Sequence, residues 1–323
     1  MSRPVIVWLL LSLIWGSTWL FIKLGLQDLP PFTFAGVRFV VAASVLLVVI
    51  AVRRVPLPRA PRDWLLIALT GVMAFAVNYG LLFWGEQRTS SGLAAILQTI
   101  IPAFGLVIAH YYLPDERITL WKVCGIALGV AGVALIFSDQ AGVADGKSAL
   151  AGSAAIVFGA FCVAYSNVLV KARARHIEPA ALAAGQMICG LVPLLLAGLA
   201  LEGNPFSFRW TRLAVVSLLY LALVGSAVAF LLFYWLVRHM DVTKTMLISL
   251  VTPPIAVFLG WLVLGESLTW RTAAGALGIM SGIAMIVARK KKELEAASSS
   301  SASSSSAAVV PAAAAAVKEC ETN

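Results

Sequence analysis

Residues 115–136 read DERITLWKVCGIALGVAGVALI and residues 265–286 read GESLTWRTAAGALGIMSGIAMI. In this register Glu116, Thr119, Gly125, Gly132, Ala134 and Ile136 meet identical residues at Glu266, Thr269, Gly275, Gly282, Ala284 and Ile286. Chance produces matches easily in apolar sequence, but six identities in one fixed register across a turn and a helix are much harder to obtain. The same offset of 150 carries Leu81-Leu82-Phe83 and Arg88 onto Leu231-Leu232-Phe233 and Arg238. Nearer the start of the unit the offset is 148, pairing Lys23 with Lys171 and Pro31 with Pro179. The chain therefore reads as two tandem copies of one unit.

Each copy is strongly apolar. Of the 323 residues 61% are apolar and 12% charged, with a mean hydropathy of +0.94. A soluble domain carries about a quarter charged residues, so most of this surface must face something other than water. The net charge of +9 does not point to nucleic acid, because almost every Lys and Arg sits at the edge of an apolar run, where lipid headgroups lie. Crossing a bilayer takes about 20 apolar residues. Such runs fall near 5–26, 32–52, 64–84, 90–111, 119–137, 149–170, 180–200, 213–236, 243–263 and 270–288. The first run carries Trp15, Trp19 and Lys23, lacks an Ala-x-Ala site and leads straight into another span, which speaks against a signal peptide.

The loop charges set an orientation, since cytoplasmic loops carry an excess of Lys and Arg. With the N-terminus inside, the inner set is Arg3, Arg53, Arg54, Arg59, Arg62, Arg117, Lys122, Lys171, Arg173, Arg175, Arg238, Lys244, Arg289, Lys290, Lys291 and Lys292. The outer set is only Lys23, Arg88, Lys147, Arg209, Arg212 and Arg271. The fold expected is all-α and membrane-embedded, with ten transmembrane helices and both termini cytoplasmic. Residues 1–137 form the first five-helix repeat, 138–288 the second, and 289–323 a disordered tail, basic and then rich in Ser and Ala. Five is odd, so the second copy enters from the opposite side. An inverted-topology repeat is the architecture by which many secondary transporters place a substrate site between their halves.

The run Trp15-Gly16-Ser17-Thr18-Trp19 through Lys23, with Pro31 and Arg38 in the second helix, resembles the opening of EamA-type units of the drug/metabolite transporter superfamily. Thr252-Pro253-Pro254 through Gly265-Glu266-Ser267-Leu268-Thr269, then Gly275 and Gly282, resembles that family's closing stretch. A weaker copy runs from Pro102 through Asp115-Glu116 to Gly125 and Gly132. The resemblance covers residues 5–288. Within the family the chain is most similar to YddG-type exporters, which implies export of aromatic amino acids and related compounds from a bacterial cell across its inner membrane.

Polar groups inside a bilayer are costly and mark functional positions. Asn78 and Gln98 offer amide donors and acceptors that suit the two ends of a zwitterion. Arg38 is placed either to meet a substrate carboxylate or to snorkel outward. Trp15 and Trp19 share a helix face; Phe158, Phe161 and Tyr165 form a comparable stripe in the symmetry-related sixth helix, and Phe230 and Tyr234 sit in the eighth. With Tyr79 these residues are expected to line an apolar cavity suited to a flat side chain. Pro102, Pro253 and Pro254, mid-helix at corresponding places, are candidate gating kinks. Glycines 125, 129, 132, 275, 278 and 282 read as packing faces, and Trp8, Trp64, Trp210 and Trp270 as an interfacial belt.

No acidic residue falls at midplane depth, so export driven by the substrate gradient, without a proton carrier, is the expected mode. No phosphate-binding loop, metal-ligand cluster or catalytic triad occurs, so an enzyme is not expected, and neither is a cofactor or metal. The four cysteines show neither metal spacing nor a clear pairing. The expected partners are the lipid bilayer and a small-molecule substrate, not nucleic acid, with one chain as the working unit. The same fold could instead export drug-like or other small metabolites; from another class, a channel or structural membrane subunit is the competing reading.

Overall fold

The computed structural model describes residues 3–112, 120–140, 146–239 and 248–285. The turn carrying Asp115-Glu116 and the tail 289–323 lie outside the described residues, so the expectations placed on them are not taken further. The described residues form helices joined by short turns: α1 (Arg3–Gly25), α2 (Pro31–Arg53), α3 (Pro61–Glu86), α4 (Ser91–Tyr112, interrupted at 99–100), α5 (Leu120–Gln140), α6 (Gly146–Arg173), α7 (Pro179–Leu201), α8 (Arg212–His239), α9 (Ile248–Leu264) and α10 (residues 270–285). Seven of them are long and apolar enough to cross a membrane: α1, α2, α3, α4, α6, α7 and α8. Leu120–Ile136 and Val251–Leu264 are apolar but shorter.

The helix starts follow from local chemistry. Pro31, Pro61 and Pro179 stand in the first turn of α2, α3 and α7, where a missing N–H costs nothing. Ser90 accepts from the Leu93 amide at the head of α4, and Thr211 accepts from the Ala214 amide at the head of α8. Gly265, with φ of 66°, turns the chain out of α9 in a conformation that a side chain would resist.

The two copies share an unusual local feature. Residues Val72–Val77 of α3 and Tyr220–Val228 of α8 are wound as π-helix, and Val72 and Tyr220 are 148 residues apart, the offset of the repeat. Wide turns of this kind recur at functional sites. The fourth helices of the two copies differ. In α4 the helix breaks after Gln98 and resumes at Ile101, because Pro102 has no N–H to return to the Gln98 carbonyl. In α9, Pro253 and Pro254 lie inside a helix that runs unbroken from Ile248 to Leu264. Of the two proline positions, only the one in the first copy interrupts its helix.

Packing depends on close backbone approach. A Cβ on Gly132 would stand 2.5 Å from the Gly275 carbonyl oxygen, and one on Gly275 would stand 2.6 Å from that of Gly132. The seam between α5 and α10 is therefore backbone against backbone, the arrangement that small residues permit. Gly85 of α3 and Gly152 of α6 meet in the same way. Trp64, Trp210 and Trp270 are all exposed.

Candidate functional site

A cavity of about 730 Å³ lies between the two copies. The offset of 148 maps Trp15, Trp19, Ile22 and Arg38 onto Val163, Asn167, Val170 and Gln186, and all eight line it. α3, α4, α8 and α9 complete the wall with Phe75, Asn78, Tyr79, Leu82, Gln98, Thr99, Phe230, Phe233 and Thr252. At one end the lining reaches the exposed Lys171, Arg175 and Pro179 around the turn between α6 and α7. At the other it stops at Ile22 and Leu82.

Aromatic rings form much of the wall. Trp15 meets Phe230 edge-on, with centroids 6.5 Å apart, and Phe233 at 5.5 Å. Tyr79 stacks with Phe75 at 6.0 Å. Three polar groups stand among these rings. The Gln98 side-chain amide donates to Asn78 Oδ1 at 3.0 Å, tying α3 to α4 beside the helix break. Arg38 is only 4% exposed, so it does not snorkel. Its guanidinium lies 5.3 Å from the Tyr79 ring centroid and 5.4 Å from that of Phe39, which supplies cation–π attraction. Its Nε donates to Ser226 Oγ at 3.2 Å, while Nη1 has no hydrogen-bond partner. An unpaired donor of a buried guanidinium is a ready partner for an anionic group.

Trp15, Trp19, Arg38, Asn78, Tyr79, Gln98 and Phe230, all expected from the sequence, come together here. The side chain of Tyr234 lies outside the described residues. Phe158, Phe161 and Tyr165 do not line the cavity. Phe158 and Phe161 are 56% and 38% exposed, and the stripe packs outward, with Phe161 edge-on to Phe104 and Tyr165 bonded to the Tyr112 hydroxyl at 2.6 Å. Helix geometry explains the correction. Gly152, Ile156 and Gly159 form the face of α6 that meets α3, and Val163, Asn167 and Val170 continue it along the cavity. Phe158, two residues beyond Ile156, is turned about 200° away. Pro102 sits one residue past the cavity-lining Ile101, and Pro253 and Pro254 follow the lining Thr252.

Asn167 and Gln186, polar groups within apolar runs and so candidates on sequence, were not placed in the expected site, although the repeat offset pairs them with Trp19 and Arg38. Glu86 was missed for another reason. It stands at a helix end, as the sequence places it, yet it is 0% exposed and neither carboxyl oxygen has a hydrogen-bond partner.

The cavity's blind end is closed by polar ties. Lys23 Nζ donates to the carbonyl oxygens of Glu86, at 2.6 Å, and Thr89. Glu266 accepts from the Ser91 amide and hydroxyl, both at 2.8 Å, and from the Gly92 amide. Glu202 accepts from the amides of Phe32 and Thr33 at 2.7 and 2.8 Å and from the Thr33 hydroxyl at 2.7 Å. The Thr211 hydroxyl donates to Asp28 at 2.6 Å.

The model of the EamA-like transporter family matches residues 2–138 and again 150–288. The chain is 31% identical to the uncharacterized transporter YoaV of Bacillus subtilis over 275 residues, covering 85% of this chain and 93% of that protein. It is 30% identical to the uncharacterized inner membrane transporter YedA of Escherichia coli over 280 residues, covering 86% and 88%. One solved crystal structure, 18% identical, shares the fold with a TM-score of 0.63 over 90% of this chain and 99% of its own.

Proposed function

Because this chain belongs to the EamA-like transporter family, we propose that it is a secondary transporter that exports aromatic or large neutral amino acids and related metabolites by alternating access. It is a multi-pass membrane protein of transporter type; the cargo, the direction and the placement in the bacterial inner membrane are our reading. In it all ten helices cross, residues 1–137 and 138–288 are the two repeats, and both termini lie in the cytoplasm. The open Lys171 end of the cavity then faces inward, and the end tied by Lys23 faces outward.

The observation that carries the cargo assignment is the company kept by Arg38. A buried guanidinium with one unpaired donor belongs to the wall of an aromatic-lined cavity, with the Asn78–Gln98 amide pair lining the same space. An amino acid with a flat apolar side chain matches all three elements. Its carboxylate meets Arg38, its ammonium meets amide oxygens, and its ring lies among Trp15, Trp19, Phe230 and Phe233. A pocket of this size suits a single small metabolite, lined mostly by apolar groups with a few placed polar ones.

Purified protein in proteoliposomes loaded with a panel of labelled amino acids tests the assignment, with unlabelled competitors. Saturable efflux of phenylalanine, tryptophan or leucine, mutually competitive, is the expected outcome. Arg38→Gln should abolish it, and Asn78→Ala or Gln98→Ala should weaken it with folding intact. Efflux that does not saturate would indicate a channel, and inert amino acids beside a transported drug-like cation would assign a different cargo.

A further inference from the structure

Glu86 ends α3 one helical turn beyond Leu82, the last α3 residue to line the cavity, a rise of about 6 Å. It is completely enclosed, and both carboxyl oxygens lack hydrogen-bond partners. None of the charged groups near this turn hydrogen-bonds the carboxyl oxygens. Lys23 of α1 spends its ammonium on the backbone carbonyls of Glu86 and Thr89 rather than on the carboxyl group. Glu266, from the turn after α9, is occupied by the head of α4. Arg38 of α2 is engaged by Ser226 and its aromatic neighbours. Arg88, two residues on, donates to the Trp84 carbonyl at 2.7 Å and lies 3.7 Å from the Trp84 ring centroid. α6 meets this turn with the uncharged Gly152 and Ile156.

An ionised carboxylate held this way would forfeit its hydration with no direct replacement, at a cost that proteins avoid by neutralising the group. In an alternating-access cycle the Lys23 end must open, and water would then reach the carboxyl group that this end now encloses.

We propose that the Glu86 carboxyl group is a proton-binding site, loaded when the Lys23 end closes over it, that couples movement of the cargo to movement of a proton. The step is simple: a proton from hydronium adds to one carboxylate oxygen, and the same proton later returns to water, with no other bond changed. This replaces the uncoupled export expected from the sequence and rests on the alternating-access reading. In this proposal the proton leaves toward the cavity, whose lining residue Leu82 stands one helical turn before Glu86.

The first arm of the test needs no substrate. Infrared titration of the full chain in lipid nanodiscs should reveal a protonated-carboxyl C=O band that fades as pH rises, is missing in Glu86→Gln and persists in Glu266→Gln. Identical wild-type and Glu86→Gln spectra at every pH overturn the proposal. The second arm uses labelled phenylalanine at equal concentration on both sides of proteoliposomes. Under an imposed pH gradient, wild type should accumulate it in the acidic compartment, approaching about tenfold per pH unit for one proton exchanged per substrate. Glu86→Gln should show no such accumulation while still exchanging labelled for unlabelled phenylalanine at equal pH. Wild type that moves phenylalanine but ignores the pH gradient, or answers only to sodium, overturns the coupling. If phenylalanine is not moved at all, the cargo assignment fails, and the infrared arm still decides Glu86.

Discussion

Lys23 and Lys171 occupy equivalent positions in the two copies, 148 residues apart, yet stand in opposite circumstances. Lys23 is drawn into the protein, bonded to the last carbonyl of α3 and to one in the turn that follows, the position at a helix C-terminus where a cation is best placed. Lys171 is exposed at the cavity's mouth. Around Lys23, carboxylates of the second copy grip helix starts of the first: Glu202 holds α2 and Glu266 holds α4. At the Lys171 end, His176 meets Asp63 at 3.0 Å, with the His176 side chain 61% exposed, a geometry in which an ion pair contributes little. One unit has been used twice, and its ends have been treated differently. The Lys23 end is held closed by satisfied helix termini, while the cavity reaches exposed residues at the Lys171 end.

Removing the carboxylates should break this difference most strongly. Glu202 and Glu266 each accept three hydrogen bonds, and bonds to a charged group contribute roughly 1.5–3 kcal/mol each. Even if water replaces most of them, the double variant Glu202→Ala/Glu266→Ala should lose about 3 kcal/mol of preference for the closed end, a shift of over a hundredfold in population. Thr89, 7% exposed behind the seal, is the reporter. A Thr89→Cys protein lacking the exposed Cys124 should react with a membrane-impermeant maleimide about a hundredfold faster when both carboxylates are gone. An unchanged rate would mean that the ties decorate a closure made by packing alone.

The two lysines give a smaller and more pointed comparison. Lys23→Ala removes one ammonium from two carbonyls and should speed labelling of the same cysteine about tenfold, on the order of 1.4 kcal/mol. Lys171→Ala, at the far end, should leave that rate within about twofold. Equal effects would show that the lysines act through the net charge of the protein rather than through the end each occupies.

The features that separate the ends were legible to different degrees. Apolar run length and the repeat register set out helices, loops and the relation between copies, because a bilayer demands long apolar helices whatever they later touch. Asn78, Gln98 and Arg38 stood out because a polar group in lipid must have a reason to be there. Burial of Glu86 was invisible: hydropathy places it at a helix end, and groups remote in sequence, Lys23 and α6 among them, pack around that end. The π-turns of α3 and α8 gave no signal, since their residues are ordinary apolar ones. The interruption of α4 was half legible. Pro102 announced it, but Pro253 and Pro254 gave the same warning inside a helix that stays whole.

The aromatic stripe of α6 teaches where periodicity stops being informative. Trp15 and Trp19, and Phe158, Phe161 and Tyr165, each share a helix face, yet the first pair faces the cavity and the second set faces away. Spacing tells which residues lie together, not which side of the helix is turned inward. On α6 that choice is made by Gly152 and Gly159, where α3 approaches so closely that a Cβ on Gly159 would stand 2.9 Å from Asn78 Oδ1. Only the glycine face fits there, so the bulky face must look outward. Trp19→Ala should therefore weaken half-saturation by phenylalanine about fivefold, the order of 1 kcal/mol that an aromatic pair contributes beyond its buried area. Phe158→Ala should change it by less than about twofold, because the lost ring faces away from the cavity and lipid can fill its place. If Phe158→Ala instead matched Trp19→Ala, α6 would have to turn its aromatic face inward during transport, and Gly159 could not keep its seat against Asn78 in that state.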